Sequence, residues 1–101
     1  MIPLVVVDLD GTIIGKDAQV KLCVWQAVER ATDLGLKVAV CTGRPAFGLA
    51  LKVAERLGRD NPHIFQGGAH IGYPDGRTLK VTALGETESR AMIAASRKLN
   101  V

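Results

Sequence analysis

The chain has few cysteines and aromatic residues and no long apolar segment. Its two cysteines, Cys23 and Cys41, form no C-x-x-C pair, so we expect buried free thiols in a reducing compartment. Thirteen lysines and arginines are scattered without a basic run, which excludes a typical nucleic-acid-binding surface. No segment approaches the roughly 20 apolar residues of a membrane helix, and the N-terminal apolar run is too short for a signal peptide. We therefore expect a cytoplasmic protein with no nucleic-acid or membrane partner.

The first 66 residues alternate between patterns typical of strands and of helices. Apolar runs at 4–7, 37–41 and 63–66 predict strands, and segments of helical periodicity separate them. We expect Asp17 to cap the first helix and Pro45 to open the second. Since the first run is continuously apolar, we expect it to be covered on both faces. The predicted fold class is α/β, a Rossmann-like parallel sheet with helices on both faces and right-handed crossovers.

The pattern changes after residue 66. Short β-like runs at 69–73 and 77–82 flank Pro74-Asp75-Gly76, a strong turn signal, and predict a hairpin. A final helix presents one apolar face, formed by Ala91, Met92, Ala95 and Leu99. We therefore divide the chain into a sheet-and-helix unit, 1–66, and a hairpin-and-helix unit, 67–101.

The strongest functional motif is Asp8-Leu9-Asp10-Gly11-Thr12, directly after the first strand. In open α/β sheets, chemistry occurs beyond the carboxyl ends of the strands. One carboxylate can accept a phosphoryl group covalently, the other can act as acid and base, and both suit Mg²⁺. Alternatives are a pair of turn aspartates and the D-x-D metal site of a nucleotide-sugar transferase. A calcium loop fits poorly, because its twelfth position is Gln19 and not glutamate.

A second motif, Thr42-Gly43-Arg44, follows the second strand. A hydroxyl and a bare backbone N–H at a helix N-terminus can hold a phosphate, although the same tripeptide is a common turn. Its place beside the aspartate motif favours the phosphate-binding interpretation. His70 in Gly67-Gly68-Ala69-His70-Ile71 has no catalytic partner in the sequence, so we interpret it as a hairpin residue and His63 as structural.

These motifs together resemble the N-terminal part of a haloacid dehalogenase superfamily phosphatase of the Cof type, which carries a large inserted cap. The resemblance covers essentially all 101 residues, with Gly67 standing where the group usually has asparagine. It implies a phosphatase acting on a small phosphorylated metabolite such as a sugar phosphate, with the cap beginning in 67–101. The aspartate at position 10 favours a phosphatase or phosphomutase over a dehalogenase.

The resemblance also implies roles for individual residues. Asp8 would be the nucleophile and a Mg²⁺ ligand, and Asp10 would be the general acid and base, with its carbonyl on the metal. The phosphate-binding set would comprise Gly11, Thr12, Thr42, Gly43 and Arg44, with Arg44 near the cap and substrate.

Two parts of the family's machinery do not occur in this sequence. The third-motif lysine and the fourth-motif acidic pair normally lie far beyond residue 101, and only Lys80 and Lys98 follow the start of the hairpin. We therefore expect weak or no activity from this chain alone, and a phosphate- or protein-binding remnant is the alternative function. An unpaired sheet edge and an uncovered helix would favour self-association.

Overall fold

A computed structural model describes residues 3–101; Met1 and Ile2, which begin the N-terminal apolar run, lie outside the described residues. The elements in chain order are β1 (Leu4–Val7), α1 (Leu22–Asp33), β2 (Lys37–Val40), α2 (Gly48–Gly58), β3 (His63–Phe65), β4 (His70–Gly72), β5 (Thr78–Val81) and α3 (Glu86–Lys98), with a 3-10 turn at Gln66–Gly68. The strand–helix–strand–helix–strand order predicted for the first part is confirmed.

The strands join a parallel part to an antiparallel part. β1 and β2 pair in parallel, with Leu4 opposite Lys37 and Val7 opposite Val40. A single parallel bridge between Cys41 and Ile64 connects β2 to β3. β3 pairs antiparallel with β4, and β4 with β5, which confirms the predicted hairpin. The α/β fold class is also confirmed, whereas the division of the chain at residue 66 stays a prediction.

Both helices that follow β1 and β2 pack on one face of the parallel strands. Trp25 of α1 and Leu57 of α2 share a core with Val38 and Val40, and the Arg56 guanidinium lies 4.1 Å from the Trp25 ring centre. Right-handed crossovers that run in the same direction along a sheet place their helices on the same side. The second helix layer of the predicted fold is therefore not formed within residues 3–101.

This arrangement corrects the expectation that β1 is covered on both faces. Leu4 and Val6, which point away from the helices, are 46% and 45% exposed. Among the described residues β1 pairs with β2 alone, so its outer edge has no strand partner. The continuous apolar pattern of β1 fits a strand that is buried in a larger sheet.

Side chains complete the edge of β2 that faces β3. The Val40 N–H donates to Nδ1 of the fully buried His63 at 3.0 Å, and the Asn61 amide donates to the Val38 carbonyl at 3.0 Å. The other ring nitrogen of His63 lies 2.8 Å from the Gly58 carbonyl at the end of α2. His63 thus joins strand, helix and loop, and its predicted structural role is confirmed.

Both helix starts lie later in the chain than predicted. The Asp17 carboxylate accepts the Gln19 N–H at 3.1 Å and shapes a turn, so α1 begins at Leu22. The Pro45 carbonyl accepts the Phe47 N–H at 2.8 Å, and Phe47 is extended, so α2 begins at Gly48. Local hydrogen bonds that compete with the first helical turn account for both delays.

The expected burial of the cysteines is corrected, whereas the expected uncovered helix is found. Both cysteines are free, but Cys23 is exposed and Cys41 is half-buried. No residue of α3 is buried, so the apolar face predicted for it is open to solvent. Self-association through these surfaces stays a prediction. Within residues 3–101 no helix has the length and apolar character needed to cross a membrane.

Candidate active site

The loop after β1 holds two exposed carboxylates on either side of a buried anchor. Leu9 is 0% exposed, whereas Asp8 and Asp10 are exposed. The Leu9 carbonyl accepts the N–H groups of Thr12, Ile13 and Ile14 at 3.1, 3.1 and 2.9 Å. Gly11 takes a φ of +76°, which allows this tight winding at no steric cost. The anchor therefore fixes both carboxylates at the carboxyl end of β1.

Gly11 and Thr12 satisfy their backbone donors inside this loop. The Gly11 N–H donates to the Ile14 carbonyl at 3.1 Å, and the Thr12 N–H donates to the Leu9 carbonyl. Both residues are exposed beside Asp10. Their predicted contribution to phosphate binding would thus come from the Thr12 hydroxyl and from the space that Gly11 leaves open.

The second motif is held between β2 and the turn that follows β3. The Thr42 N–H donates to the Ile64 carbonyl at 2.9 Å, and the Thr42 carbonyl accepts the Gly67 N–H at 3.0 Å. The buried Thr42 hydroxyl oxygen accepts the Arg44 N–H at 3.1 Å, so its hydrogen remains available to a ligand. Gly43 is exposed and has open space where a side chain would stand.

The helix that was expected to help hold a phosphate at this motif begins only at Gly48. A phosphate cradle here would therefore be formed by the loop that contains Thr42 and Gly43. The turn at Gln66–Gly68 stabilises that loop, because the Gln66 N–H donates to the Arg44 carbonyl at 3.0 Å.

A bidentate ion pair joins the two motifs. Arg44 Nε lies 2.7 Å from Asp10 Oδ2, and its Nη2 lies 2.8 Å from Asp10 Oδ1. The hydrogen bonds from Arg44 lower the pKa of the Asp10 carboxyl, and the same contact raises the pKa of Arg44. In this arrangement Asp10 is an ionised carboxylate that can accept a proton but has none to donate.

Replacing Arg44 with methionine is expected to raise the Asp10 pKa towards its ordinary value, because the charge-assisted hydrogen bonds would be lost. Carbon-13 NMR titration of the aspartate carboxyls measures this directly. Arg77→Met is the matched control, since Arg77 pairs with Asp75 at 2.7 Å in the hairpin. The Arg44 variant should shift Asp10 and leave Asp75 unchanged, and the control should do the reverse. An unchanged Asp10 pKa in Arg44→Met would contradict the assignment.

The oxygen atoms around Asp8 and Asp10 have the chemistry that Mg²⁺ prefers. One Asp8 carboxylate oxygen accepts the Leu9 N–H at 2.8 Å, which orients the exposed carboxyl group. Within residues 3–101 no group of three or more acidic, histidine or cysteine side chains is placed to hold a metal ion. These residues fit a Mg²⁺ ion as a partial set of ligands, with water or further oxygen donors completing the shell.

The ion pair between Asp10 and Arg44 is the feature that sequence reasoning missed. The signal was present, because opposite charges follow two neighbouring strands and parallel strands end at one edge of the sheet. His70, by contrast, lies in the hairpin as predicted, with its Nε2 3.4 Å from the Thr78 hydroxyl.

The chain belongs to the haloacid dehalogenase-like hydrolase family, whose model matches residues 5–101. It is 38% identical over 74 residues to the phosphatase YwpJ of Bacillus subtilis, which covers 73% of this chain and 26% of that protein. It is 40% identical over 43 residues to the 5-amino-6-(5-phospho-D-ribitylamino)uracil phosphatase YwtE of the same bacterium, covering 43% of this chain and 15% of that protein.

The solved structures agree with the family assignment. One of them, the HAD subclass IIB sugar phosphatase BT4131, superposes with a TM-score of 0.78 at 25% identity, covering 94% of this chain and 37% of that chain. The chain thus spans about a quarter or less of the length of the curated relatives it matches.

Proposed function

We propose that this chain carries the nucleophile-bearing part of a Mg²⁺-dependent phosphatase that hydrolyses a small phosphomonoester, such as a sugar phosphate. The observation that carries the proposal is the meeting of the two motifs, with Asp10 and Arg44 in direct contact and Asp8 exposed two residues before Asp10. Two relatives are named as a 5-amino-6-(5-phospho-D-ribitylamino)uracil phosphatase and a sugar phosphatase, and these names support the substrate class.

In the proposed mechanism Asp8 attacks the phosphorus atom and takes the phosphoryl group as an aspartyl phosphate. Asp10 gives a proton to the departing alkoxide, so the alcohol leaves neutral, and Asp10 then takes a proton from the water that hydrolyses the acyl phosphate. The first of these steps requires a protonated Asp10. The Arg44 pair must therefore open before the alcohol leaves, which would free the guanidinium to contact the substrate.

Thr42 and Gly43 would hold the transferring phosphoryl group through the hydroxyl and the backbone N–H, with the Thr12 hydroxyl beside them. Asp8 and the Asp10 carbonyl would hold Mg²⁺, which when bound offsets the negative charge of the nucleophile and the phosphate. Electrostatic stabilisation is usually the largest contribution to such reactions. No lysine of this chain is assigned to the third-motif role of offsetting that charge, so we propose that the chain alone turns over slowly.

Beryllofluoride tests the phosphoryl site without requiring turnover, because it mimics a phosphoryl group bound to an aspartate. With Mg²⁺ present, saturating beryllofluoride is expected to raise the melting temperature by about 5 °C or more. Asp8→Asn should abolish the rise, since an amide cannot coordinate beryllium as a carboxylate does. Differential scanning fluorimetry or calorimetry measures both.

Asp60→Asn is the matched control, because it makes the same chemical change at an exposed position just after α2. This variant should keep the full rise. A rise that persists in Asp8→Asn, or one that is absent from the unmodified chain, would contradict the proposed site.

A non-catalytic phosphate-binding function is the second candidate. It is favoured by the ionised, paired state of Asp10 and by the lack of a three-ligand metal cluster in residues 3–101. The two functions differ in one result: a binding remnant would take up beryllofluoride or phosphate but would form no covalent aspartyl phosphate.

A further inference from the structure

A cavity lies next to Asp10 in the loop that follows β1, and its lining extends beyond the residues of the proposed chemistry. The space measures about 300 Å³ and is lined by Asp10, Gly11, Thr12, Ile14, Gly15 and Lys16. Its one cationic side chain is Lys16. The cavity therefore combines the proposed proton donor with a positively charged side chain.

The backbone holds Lys16 in place beside Asp10. Ile14 forms a bridge with Asp10 and another with Val20, so the chain leaves and returns at fixed points. The Gly15 N–H donates to the Gln19 carbonyl at 3.3 Å, and the Ala18 N–H donates to the Gly15 carbonyl at 3.1 Å. Lys16 thus lies near the tip of a short loop that backbone hydrogen bonds hold closed.

Lys16 has no carboxylate partner within the described part of the chain. The ion pairs formed there are Arg44–Asp10, Arg77–Asp75 and Arg90–Glu86. The neighbouring Asp17 directs one carboxylate oxygen to the Gln19 N–H and does not line the cavity. Both oxygens of Asp10 are occupied by Arg44. The Lys16 ammonium is consequently available to a ligand.

We propose that Lys16 is a specificity-determining residue that favours phosphomonoesters whose leaving group carries a further negative charge, a second phosphate or a carboxylate. The inference rests on the proposed function. Because Asp10 protonates the departing oxygen, the leaving group must lie beside Asp10. The cavity beside Asp10 is where that group is received, and an anionic substituent there would meet the Lys16 ammonium.

Three ligands that share one sugar skeleton test this inference: glucose 6-phosphate, 6-phosphogluconate and glucose 1,6-bisphosphate. Isothermal titration calorimetry with Mg²⁺ gives the dissociation constant of each for the unmodified chain. We expect 6-phosphogluconate and glucose 1,6-bisphosphate, which carry an additional anionic group, to bind about three- to tenfold more tightly than glucose 6-phosphate. This is the effect of one partly exposed charged contact. The advantage should shrink as salt is raised, because exposed charges are screened.

Lys16→Met should remove this preference while leaving glucose 6-phosphate binding unchanged, and Lys16→Arg should restore most of it. Lys80→Met is the control, because it removes the same charge at an exposed position on β5 and should keep the preference. If Lys16→Met weakened all three ligands equally, Lys16 would contact the transferring phosphoryl group and the inference would be overturned. Equal binding of the three ligands by the unmodified chain would also overturn it. Failure of all three to bind while the beryllofluoride rise is kept would overturn the inference and leave the proposed phosphoryl site standing.

Discussion

Replacing His63 with alanine is expected to lower the free energy of unfolding by about 3–5 kcal/mol, a large part of the stability of a domain this size. The imidazole is fully buried, accepts the Val40 N–H through Nδ1 at 3.0 Å, and donates through Nε2 to the Gly58 carbonyl at 2.8 Å. Alanine would leave both backbone groups without a partner and would open a cavity at the edge of β2. Chemical denaturation of the two proteins measures the difference.

The same histidine should make stability depend on pH. Burial lowers the pKa of His63, so the unfolded chain binds a proton at this residue more readily than the folded chain does. The stabilising contribution is therefore fully present above the ordinary histidine pKa of about 6.5. It is lost as pH falls below that value, because a protonated Nδ1 cannot accept the Val40 N–H.

Melting temperatures between pH 7.5 and 5 test this dependence. His70→Gln is the matched control, because His70 is the other histidine of the chain and lies in the hairpin. The control should keep the fall in stability towards acid pH, and His63→Gln should be less stable at neutral pH with a flatter profile. A pH profile that is abolished by His70→Gln and kept by His63→Gln would contradict the assignment.

Asp8→Asn is expected to reduce Mg²⁺-dependent hydrolysis of para-nitrophenyl phosphate to the rate without protein. An asparagine amide is too weak a nucleophile to form the covalent intermediate, so the loss should be complete and not partial. Asp60→Asn makes the same change at an exposed position far from Asp8 in the sequence, and it should retain the slow rate of the unmodified protein. Release of nitrophenol by Asp8→Asn at the unmodified rate would exclude Asp8 as the nucleophile.

Much of the fold follows from the sequence because its signals are local. The apolar runs of β1 and β2 and the Pro74-Asp75-Gly76 turn each predict an element without knowledge of its surroundings. The two motifs are equally local, since each directly follows a strand. Placing both strands in one parallel sheet was enough to predict that the motifs would lie at the same edge.

The features that the sequence did not predict depend on contacts between distant residues. The face on which the two helices pack is decided by the direction of successive crossovers, which periodicity within one element does not contain. The Asp10–Arg44 pair joins side chains 34 positions apart, and His63 meets Val40 across 23 positions. The delayed start of α2 is a smaller case, in which the hydrogen bond between Phe47 and Pro45 outweighs the preference of proline for a first helical turn.

The most direct test of the proposed function is whether Asp8 itself becomes phosphorylated. The chain would be incubated with acetyl phosphate and Mg²⁺, reduced with borohydride to convert any aspartyl phosphate to homoserine, and digested for mass spectrometry. We predict homoserine at position 8 and an unmodified Asp10. No conversion at Asp8, or conversion at another aspartate instead, would contradict the assignment of Asp8 as the nucleophile.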